Sequence, residues 1–396
     1  ILSTLRSHEM NSWQPHLPDA IELTQDDLLA GGTLPRVWVD QWRRNPDKNV
    51  IHDPKQGWAS GETLSSRSET VARRLAHAGV LPGERVLLSA SSSLELVVAH
   101  VAALRLGAVV IPTNGAYRAE EVAHVVSDAR PRVAIVEQPE WREWIQATDP
   151  DVILAGPSVE LDDGPTCPLD GVETNSPALI GYTSGTTGRP KGAVLTHGNL
   201  LSSVRGLEIA WRWTSSDTLI LALPLFHMHG LGVGLHGSLT VGGRAVLLPE
   251  FNAEEVLDSI KEFEATMFFG VPTMYSRLLN SEKVNQLGDL RLCVSGSAPL
   301  SAEVHRKIHD AAGQHILERY GMTETAMLVS NPYVGERRPN SVGFPLPGVE
   351  VRIEGNPPEI QVKGPNVFKG YWERPEENVD AFDDGWFRTG DLGAID

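Results

Sequence analysis

The hydrophobic positions of the first half of the chain alternate between helical spacing and short apolar runs. Within residues 33–80 the apolar side chains recur at helical spacing, which predicts N-terminal helices. Short apolar runs then alternate with longer stretches of helical spacing, a pattern typical of parallel strands covered by helices. The predicted strands are 85–88, 108–111 and 133–136, and the predicted helices between them are 93–106 and 119–127.

A stretch rich in Pro, Asp and Gly, residues 155–176, predicts a connector, and a second alternation follows it. Its strands are predicted at 177–180, 218–223, 245–248, 267–269 and 292–294, and its helices at 199–211, 253–263, 273–279 and 302–312. From Ser341 the pattern changes to short runs separated by Gly and Pro turns, which is typical of antiparallel strands. These strands are predicted at 349–353, 359–362 and 386–388.

The pattern therefore predicts the α/β fold class, with two layered α/β subdomains built on mostly parallel sheets and a small β-rich subdomain. The expected ranges are 10–176 for the N-terminal α/β subdomain, 177–340 for the second one and 341–396 for the β-rich subdomain. A length of 396 residues is sufficient for two or three such units with a large core.

Composition argues against some classes of function. The chain has 51 Asp and Glu but only 34 Lys and Arg, and a net charge of −17 argues against nucleic acid as the main partner. The two cysteines, Cys167 and Cys293, lie too far apart in sequence for a disulfide framework or a zinc motif, so we expect a cytoplasmic location. The most apolar long stretch, 94–112, contains Glu95 and Arg105, and we expect no membrane span.

A polar loop directly after the predicted strand 177–180 is the strongest candidate for chemistry. Residues 182–192, with the sequence YTSGTTGRPKG, contain four Ser and Thr hydroxyls, three glycines, one Lys and one Arg. Glycines allow backbone N–H groups to point at an anion, hydroxyls add donors, and Lys191 adds a point charge, so the loop suits a polyphosphate. Pro190 stands where a Walker loop has its second Gly, and the alternative interpretation is a flexible loop with a surface lysine.

Two further motifs are ambiguous. Three histidines, His227, His229 and His236, suggest a metal site, but neither a Cys nor a supporting carboxylate is evident near them. We favour a packed turn with one or two histidines facing a cavity. Residues 232–237 form a G-x-G-x-x-G sequence, which a dehydrogenase would place directly after a strand. A His-rich turn precedes it here, and we interpret its glycines as small residues that permit close helix packing.

The loop 182–192 resembles the phosphate loop of the adenylate-forming superfamily, which includes acyl-CoA synthetases, luciferases and peptide-synthetase adenylation domains. Four later stretches match that superfamily in the expected order, namely SGSAPL at 295–300, ERYGMTET at 318–325, GPNVFKGYW at 364–372 and WFRTGDL at 386–392. Within the superfamily, FHMHG at 226–230, GVPTMYSR at 270–277 and NPY at 331–333 are most similar to the malonyl-CoA and methylmalonyl-CoA synthetase branch.

The resemblance implies an ATP-dependent carboxylic acid–CoA ligase, which forms an acyl-adenylate and then an acyl-CoA. It implies ATP, CoA and a small carboxylic acid as substrates, with malonate or methylmalonate expected, and Mg²⁺ as cofactor. The alternatives are a medium- or long-chain fatty acyl-CoA ligase and, from another class, a nucleotide-binding scaffold without catalysis. The family also has a C-terminal lid domain that carries a catalytic lysine, and we expect that domain to be absent from the sequence ending at Asp396.

The resemblance also assigns roles to individual residues. The implied catalytic residues are Thr323, Glu324, Lys191 and His227, and the implied metal ligands are Glu324 and Thr183. The implied ATP-binding residues are Thr183, Ser184, Gly185, Thr186, Thr187, Gly188, Lys191, Gly296, Ser297, Ala298, Glu318, Arg319, Tyr320, Gly321, Met322, Thr323 and Asp391. The implied substrate-binding residues are Met228, Arg277, Ser297, Arg319, Met322 and Met327.

These residue types suit their roles. Tyr320 offers a flat face for a purine, and Glu324 is a hard oxygen ligand of the kind that Mg²⁺ prefers. Asp391 can accept hydrogen bonds from both ribose hydroxyls. The guanidinium groups of Arg277 and Arg319 would bind the second carboxylate of a dicarboxylic acid and reject an alkyl chain. Taken singly, each of these charged side chains is more typical of a solvated surface, and the roles depend on the motifs occurring together.

Overall fold

The computed structural model describes residues 13–18, 23–183 and 189–395, which form three β-sheets with helices between and around them. The strands are β1 (Asn49–Asp53), β2 (Gly57–Ser60), β3 (Arg85–Ser89), β4 (Val109–Pro112), β5 (Val133–Val136), β6 (Ile153–Ala155), β7 (Pro177–Thr183), β8 (Lys191–Thr196), β9 (Thr218–Leu221), β10 (Arg244–Leu247), β11 (Met267–Gly270), β12 (Leu292–Ser295), β13 (Leu317–Tyr320), β14 (Val329–Ser330), β15 (Phe344–Pro345), β16 (Glu350–Glu354), β17 (Glu359–Lys363), β18 (Phe382–Asp383) and β19 (Trp386–Leu392). The helices are α1 (Gln25–Leu28), α2 (Leu34–Arg44), α3 (Gly61–His77), α4 (Leu94–Leu106), α5 (Ala119–Ala129), α6 (Pro139–Thr148), α7 (His197–Ala210), α8 (His236–Val241), α9 (Ala253–Glu262), α10 (Pro272–Leu278), α11 (Ala302–Ala312) and α12 (Pro375–Ala381).

The first sheet has six strands in the order β6-β5-β3-β4-β7-β8. Its neighbours pair in parallel except for β7 and β8, which form an antiparallel hairpin. The predicted apolar runs do form strands here, because β3, β4 and β5 are buried along almost their whole length. Helix α6 and strand β6, which lie between β5 and the connector, were not predicted from the sequence.

Helix α4 packs against strands of both large sheets. The Ser93 hydroxyl caps its first turn by accepting a hydrogen bond from the Leu96 amide, and Gly107 ends it in a left-handed conformation with φ of 85°. Every residue of α4 except Glu95 is buried, as expected of a helix that is apolar on all sides. The helix therefore lies at the centre of a hydrophobic core that the first and second sheets share.

The second sheet has nine strands in the order β15-β14-β13-β12-β11-β9-β10-β1-β2. From β13 to β1 the neighbours pair in parallel, and the strands at both edges are antiparallel. The expectation of helices alone in residues 33–80 is therefore wrong, because β1 and β2 form a hairpin between α2 and α3. The apolar run Val50–Ile51 is too short to distinguish a strand from a helix by periodicity, and β1 is fixed by pairing with the distant strand β10.

The sheets do not follow the expected subdomain ranges. Strands β7 and β8 lie after residue 176 but belong to the first sheet, whereas β1 and β2 lie before it but belong to the second. The division at residue 176 thus stays a prediction about domains and does not describe the sheets. The predicted β-rich segment does form a four-stranded antiparallel sheet in the order β16-β17-β19-β18, so the mixed α/β fold class is confirmed.

A cluster of histidines is buried in the shared core. The Nε2 atoms of His100 and His236 lie 2.8 Å apart, so one ring donates a hydrogen bond to the other. Neither ring nitrogen of His197 has a hydrogen-bond partner among the described residues. Burial lowers the pKa of His100 to about 3 and that of His197 to about 4, so these rings are neutral at physiological pH.

We expect the free energy of unfolding to fall as the pH is lowered from 7 to 5. In the unfolded chain these histidines titrate near 6.5, well above their pKa values in the folded protein. Below pH 6.5 the unfolded state therefore binds more protons, and stability is lost as the pH falls. At pH 5 the loss amounts to about 2 kcal/mol for each such histidine. Urea unfolding at a series of pH values measures it.

The variant His197→Leu is the control for this prediction, since it removes one buried titrating ring and keeps a similar side-chain volume. Between pH 7 and 5 its free energy of unfolding should fall by about 2 kcal/mol less than that of the wild type. An equal loss in both proteins would show that His197 does not carry the effect.

Candidate active site

The candidate site lies where the carboxyl ends of parallel strands from the two large sheets meet. Strand β7 brings Gly181 against Thr323, which follows β13, and a Cβ atom added at Gly181 would lie 2.4 Å from Thr323 Cγ2. Only glycine allows so close an approach. Ligand sites of α/β proteins usually form at the carboxyl ends of strands, so Thr323, a predicted catalytic residue, occupies such a position.

The neighbouring Glu324 is almost fully buried, with 5% of its surface exposed. Its Oε1 atom accepts a hydrogen bond of 3.0 Å from the Tyr371 hydroxyl, and its backbone carbonyl accepts one from the Phe368 amide. Burial raises the pKa of Glu324, whereas hydrogen bonds from the Tyr371 and Thr183 side chains favour its charged form. The two predicted metal ligands, Glu324 and Thr183, thus lie together.

The predicted phosphate loop connects β7 to β8. Lys191, the first residue of β8, has its Nζ atom 2.5 Å from Glu377 Oε2 and 5.4 Å from the centre of the Tyr371 ring. Tyr371 therefore contacts both Lys191 and Glu324, two of the predicted catalytic residues. The other candidate residues of the loop, which lie outside the described part of the chain, are Ser184, Gly185, Thr186, Thr187 and Gly188.

Two predicted nucleotide-binding residues are in direct contact. The Tyr320 hydroxyl donates a hydrogen bond of 2.6 Å to Asp391 Oδ2, which joins the end of β13 to β19 of the small sheet. Burial raises the pKa of Tyr320, so its hydroxyl remains a donor at physiological pH. Asp391 is exposed and a ligand can reach its carboxylate.

A turn after β12 contains the predicted ATP-binding residues Gly296, Ser297 and Ala298. Ser297 has a left-handed backbone with φ of 68°, which is uncommon for a residue other than glycine. Glu318 braces this turn, because its Oε2 atom accepts a hydrogen bond of 3.2 Å from the Leu300 amide. Glu318 is buried, and its observed contact stabilises the turn. Its ATP-binding role stays a prediction.

Arg319 lies buried beneath the same turn. A Cβ atom added at Gly296 would lie 2.4 Å from Arg319 Cζ, and only 4% of the Arg319 surface is exposed. Within the described chain, its Nε and Nη2 atoms have no hydrogen-bond partner. Burial lowers the pKa of Arg319 to about 9, which leaves the guanidinium charged at neutral pH. A buried cation without a partner is costly and is typical of a site that receives an anion.

A cavity of about 60 Å³ lies beside Thr323. The predicted residues His227 and Met228 line it, so the structure brings these three side chains together. Asn114 and Tyr117, which were not among the predicted site residues, line the same cavity from the loop after β4. Their position just after β4, at the carboxyl end of a parallel strand, is the signal that could have identified them.

The remaining predicted substrate residues differ in position. Met327 is buried behind Gly321, where an added Cβ atom would lie 2.8 Å from Met327 Cε, and Met322 is half-buried. Arg277 is exposed, with its guanidinium carbon 5.0 Å from the centre of the Phe251 ring. Helix α10 directs other side chains into the core, so the structure does not place Arg277 in a buried position like that of Arg319, and its substrate-binding role stays a prediction.

The glycine-rich and histidine-rich motifs have structural roles. Residues His229–Leu235 form a π-helical segment that continues into α8. A Cβ atom added at Gly232 would lie 2.0 Å from Met228 Sδ, and one added at Gly237 would lie 2.3 Å from the Trp213 ring, so the glycines permit close packing as expected. The part of the chain that the structure covers contains no group of three His, Cys, Asp or Glu placed to hold a metal ion.

The comparisons with known proteins agree with this geometry. The model of the family described as AMP-binding enzyme matches residues 38–372. The mitochondrial malonate–CoA ligase of Mus musculus is 36% identical, over 86% of this chain and 68% of its own length. The oxalate–CoA ligase of Arabidopsis thaliana is 35% identical, over 93% of this chain and 78% of its own length. The crystal structure of ATP-bound MatB from Rhodopseudomonas palustris, at 38% identity, has a TM-score of 0.85 and covers 92% of this chain and 77% of that chain.

The fold and the site define an adenylate-forming protein, with the candidate ligand-binding residues at the carboxyl ends of strands from two sheets and a polar loop between β7 and β8. The chain belongs to the AMP-binding enzyme family. This confirms the resemblance on which the site residues were predicted, and the chain spans 68% of the length of the mouse ligase. Among the described residues, no helix has the length and apolar character needed to cross a bilayer.

We expect AMP binding to depend on Asp391 and, to a smaller extent, on Tyr320. Asp391→Ala removes an exposed carboxylate suited to the ribose hydroxyls, which should cost about 1.5–3 kcal/mol of binding free energy. Tyr320→Phe removes only the hydroxyl that orients Asp391 and should cost about 1 kcal/mol. Isothermal titration with AMP measures both values.

The matched control for these variants is Asp383→Ala. Asp383 is another exposed carboxylate of the small sheet, on β18, and it pairs with Arg352 instead of Tyr320. Its loss should leave AMP affinity unchanged. If Asp391→Ala binds AMP as tightly as the wild type does, Asp391 is not a nucleotide ligand.

Proposed function

We propose that this chain is the nucleotide- and acid-binding part of an AMP-forming carboxylic acid–CoA ligase, with malonate or methylmalonate as its acid. The acid would attack the α-phosphorus of ATP and release pyrophosphate, and the thiol of CoA would then displace AMP from the acyl-adenylate. Membership of the AMP-binding enzyme family supports the first step, and the likeness to malonate– and oxalate–CoA ligases supports a dicarboxylic acid.

The observation that supports the choice of acid is the buried guanidinium of Arg319, whose Nε and Nη2 atoms have no hydrogen-bond partner among the described residues. A second carboxylate on the substrate would satisfy the free Nε and Nη2 atoms bidentately and would compensate for the cost of burying the charge. Burial lowers the pKa of the neighbouring His229 well below 6.5, and the positive charge of Arg319 lowers it further, so the His229 ring is neutral at physiological pH. Of these two neighbouring side chains, only Arg319 therefore carries a positive charge that could pair with the acid.

A fatty acid as substrate fits the surroundings of Arg319 and the cavity beside Thr323 less well. An alkyl chain placed against Arg319 would leave its guanidinium desolvated and unpaired. The cavity beside Thr323 measures only about 60 Å³ and is lined by Met228, a flexible side chain. We therefore assign Met228 and Met322 the role of shaping the wall that admits or excludes the methyl group of methylmalonate.

Glu324 and Thr183 fit Mg²⁺, because this ion usually takes one or two carboxylates together with phosphate oxygens. The raised pKa of the buried Glu324 also fits such a role, since a cation nearby would restore the charged form. When bound, Mg²⁺ would neutralise charge on the phosphates of ATP. The residues of this chain would supply the rest: Lys191 a point charge and Thr323 a hydroxyl donor.

A cytoplasmic location for this protein stays a prediction, and the mouse relative is described as mitochondrial.

A nucleotide-binding scaffold without catalysis would bind ATP and AMP but would show no acid-dependent exchange of pyrophosphate into ATP. That exchange reaction, measured on the full-length protein with a panel of carboxylic acids, distinguishes the ligase from the scaffold.

We expect Arg319→Met to reduce kcat/KM for malonate by about 100-fold or more in the pyrophosphate-exchange assay, because a buried charge pair with the substrate is lost. Activity with butyrate, which has no second carboxylate, should fall much less. The measurement is kcat/KM for malonate, methylmalonate, butyrate and octanoate, compared between the variant and the wild type. Arg277→Met in the same assay tests the second arginine expected to bind the acid.

Arg73→Met is the control for these variants, since Arg73 is partly exposed and pairs with Asp163 on the surface. It should leave the order of the four acids unchanged. A wild type that prefers octanoate to malonate, with the same order in Arg319→Met, would favour the fatty acyl-CoA ligase. Nucleotide binding without exchange for any acid would favour the scaffold.

We expect Glu324→Gln to weaken binding of Mg·ATP by about 1.5–3 kcal/mol, because a charged metal ligand is replaced by a neutral one. AMP, which needs no such metal, should bind nearly as tightly as to the wild type. Glu208→Gln is the matched control, since Glu208 pairs with Arg205 on α7 away from the site. Equal loss of Mg·ATP and AMP affinity in Glu324→Gln would contradict the metal role.

A further inference from the structure

Helix α5 holds both described ends of the phosphate loop. At the first end, the Tyr182 hydroxyl donates a hydrogen bond of 2.7 Å to Asp128 Oδ2. At the second end, His124 Nε2 lies 2.7 Å from the Pro190 carbonyl oxygen and donates to it. His124 and Asp128 are four residues apart on α5, so they lie side by side on one face of the helix.

Asp128 also holds residues 371–377, a segment that follows β17. Its Oδ1 atom lies 2.5 Å from Arg374 Nη2, and its backbone carbonyl accepts a hydrogen bond of 3.2 Å from Trp372 Nε1. This segment carries Tyr371, whose hydroxyl contacts Glu324, and Glu377, which pairs with Lys191. One carboxylate therefore joins the start of the loop to the segment that positions its lysine and the candidate metal ligand.

The environment of Asp128 suits such a role. Its side chain is only 10% exposed, and that of Arg374 is 31% exposed, so the pair is shielded more than an ordinary surface ion pair. The two oxygens of Asp128 are each used, one by Tyr182 and one by Arg374. None of the roles assigned to the site residues includes Asp128.

We propose that Asp128 is a positioning residue for Lys191 and Glu324: it holds Tyr182 and Arg374, and with Arg374 the segment whose Glu377 pairs with Lys191 and whose Tyr371 contacts Glu324. This inference rests on the proposed function, in which Lys191 and Glu324 serve the terminal phosphates of ATP and their Mg²⁺. Side chains that are held in place before a ligand arrives lose less conformational entropy on binding, so they bind more tightly. AMP lacks the two terminal phosphates and gains nothing from this placement.

The test compares the affinities for Mg·ATP and AMP by isothermal titration in Asp128→Ala and Tyr182→Phe. We expect both variants to bind Mg·ATP about tenfold more weakly than the wild type, with AMP affinity changed by less than about twofold. Tyr182→Phe removes a single hydroxyl, so it decides the question even if Asp128→Ala does not fold. In the double variant the two effects should not add, because they break the same hydrogen bond.

Asp217→Ala is a closely matched control. Asp217 is also a buried aspartate that pairs with an arginine, with Asp217 Oδ1 2.6 Å from Arg291 Nε, and it accepts a hydroxyl hydrogen bond of 2.7 Å from Thr266. It precedes β9, at the opposite end of the strands from the candidate site. Its loss should lower the thermal unfolding midpoint without changing the ratio of the Mg·ATP and AMP affinities.

Three outcomes decide the matter. A selective loss of Mg·ATP affinity in Tyr182→Phe and Asp128→Ala, but not in Asp217→Ala, supports the proposal. An unchanged affinity ratio in Tyr182→Phe overturns it, and leaves Asp128 with a purely structural role. A wild type that binds neither nucleotide contradicts the proposed function itself, so the two failures are distinguishable.

Discussion

The contact between Gly181 and Thr323 is the constraint on which the site depends. The Thr323 methyl group occupies the space that any side chain at position 181 would need, so the two sheets can approach only through a glycine. This approach brings the start of the phosphate loop, after β7, to the residues that follow β13.

The charged side chains at this junction differ in how far hydrogen bonds compensate for the cost of their burial. Glu324 is buried but accepts a hydrogen bond from Tyr371, and Glu318 is buried but accepts one from the Leu300 amide. Arg319 is equally buried and its Nε and Nη2 atoms lack partners in the described chain. Because an unsatisfied buried charge costs more than a satisfied one, the folded protein is less stable than it would be with an apolar residue there. Such a cost is typical of a binding site, where a ligand compensates for it.

Most strands and the order of the site motifs could be predicted from the sequence, because buried parallel strands are continuous apolar runs and the site motifs are local. The hairpin of β1 and β2 could not be predicted, because its short apolar run is fixed as a strand only by pairing with the distant β10. The exposed position of Arg277 was also unpredictable, because the face that α10 turns inward depends on tertiary packing. Asp128 escaped notice for a similar reason: a single Asp near the end of an amphipathic helix is typical of a solvated surface, and its partner Tyr182 is distant in sequence.

The two ends of the site use electrostatics in different ways. On the phosphate side, Lys191 and Arg374 are 23% and 31% exposed and already pair with carboxylates, so their attraction for an anion is screened by water and salt. On the side proposed for the acid, Arg319 is 4% exposed, and its guanidinium lies in a low-dielectric environment where a single contact is worth more. With a net charge of −17 the protein as a whole repels anions. Affinity for the proposed dicarboxylic acid would therefore come mainly from this short-range, desolvated contact, whereas a nucleotide would draw on many weaker ones.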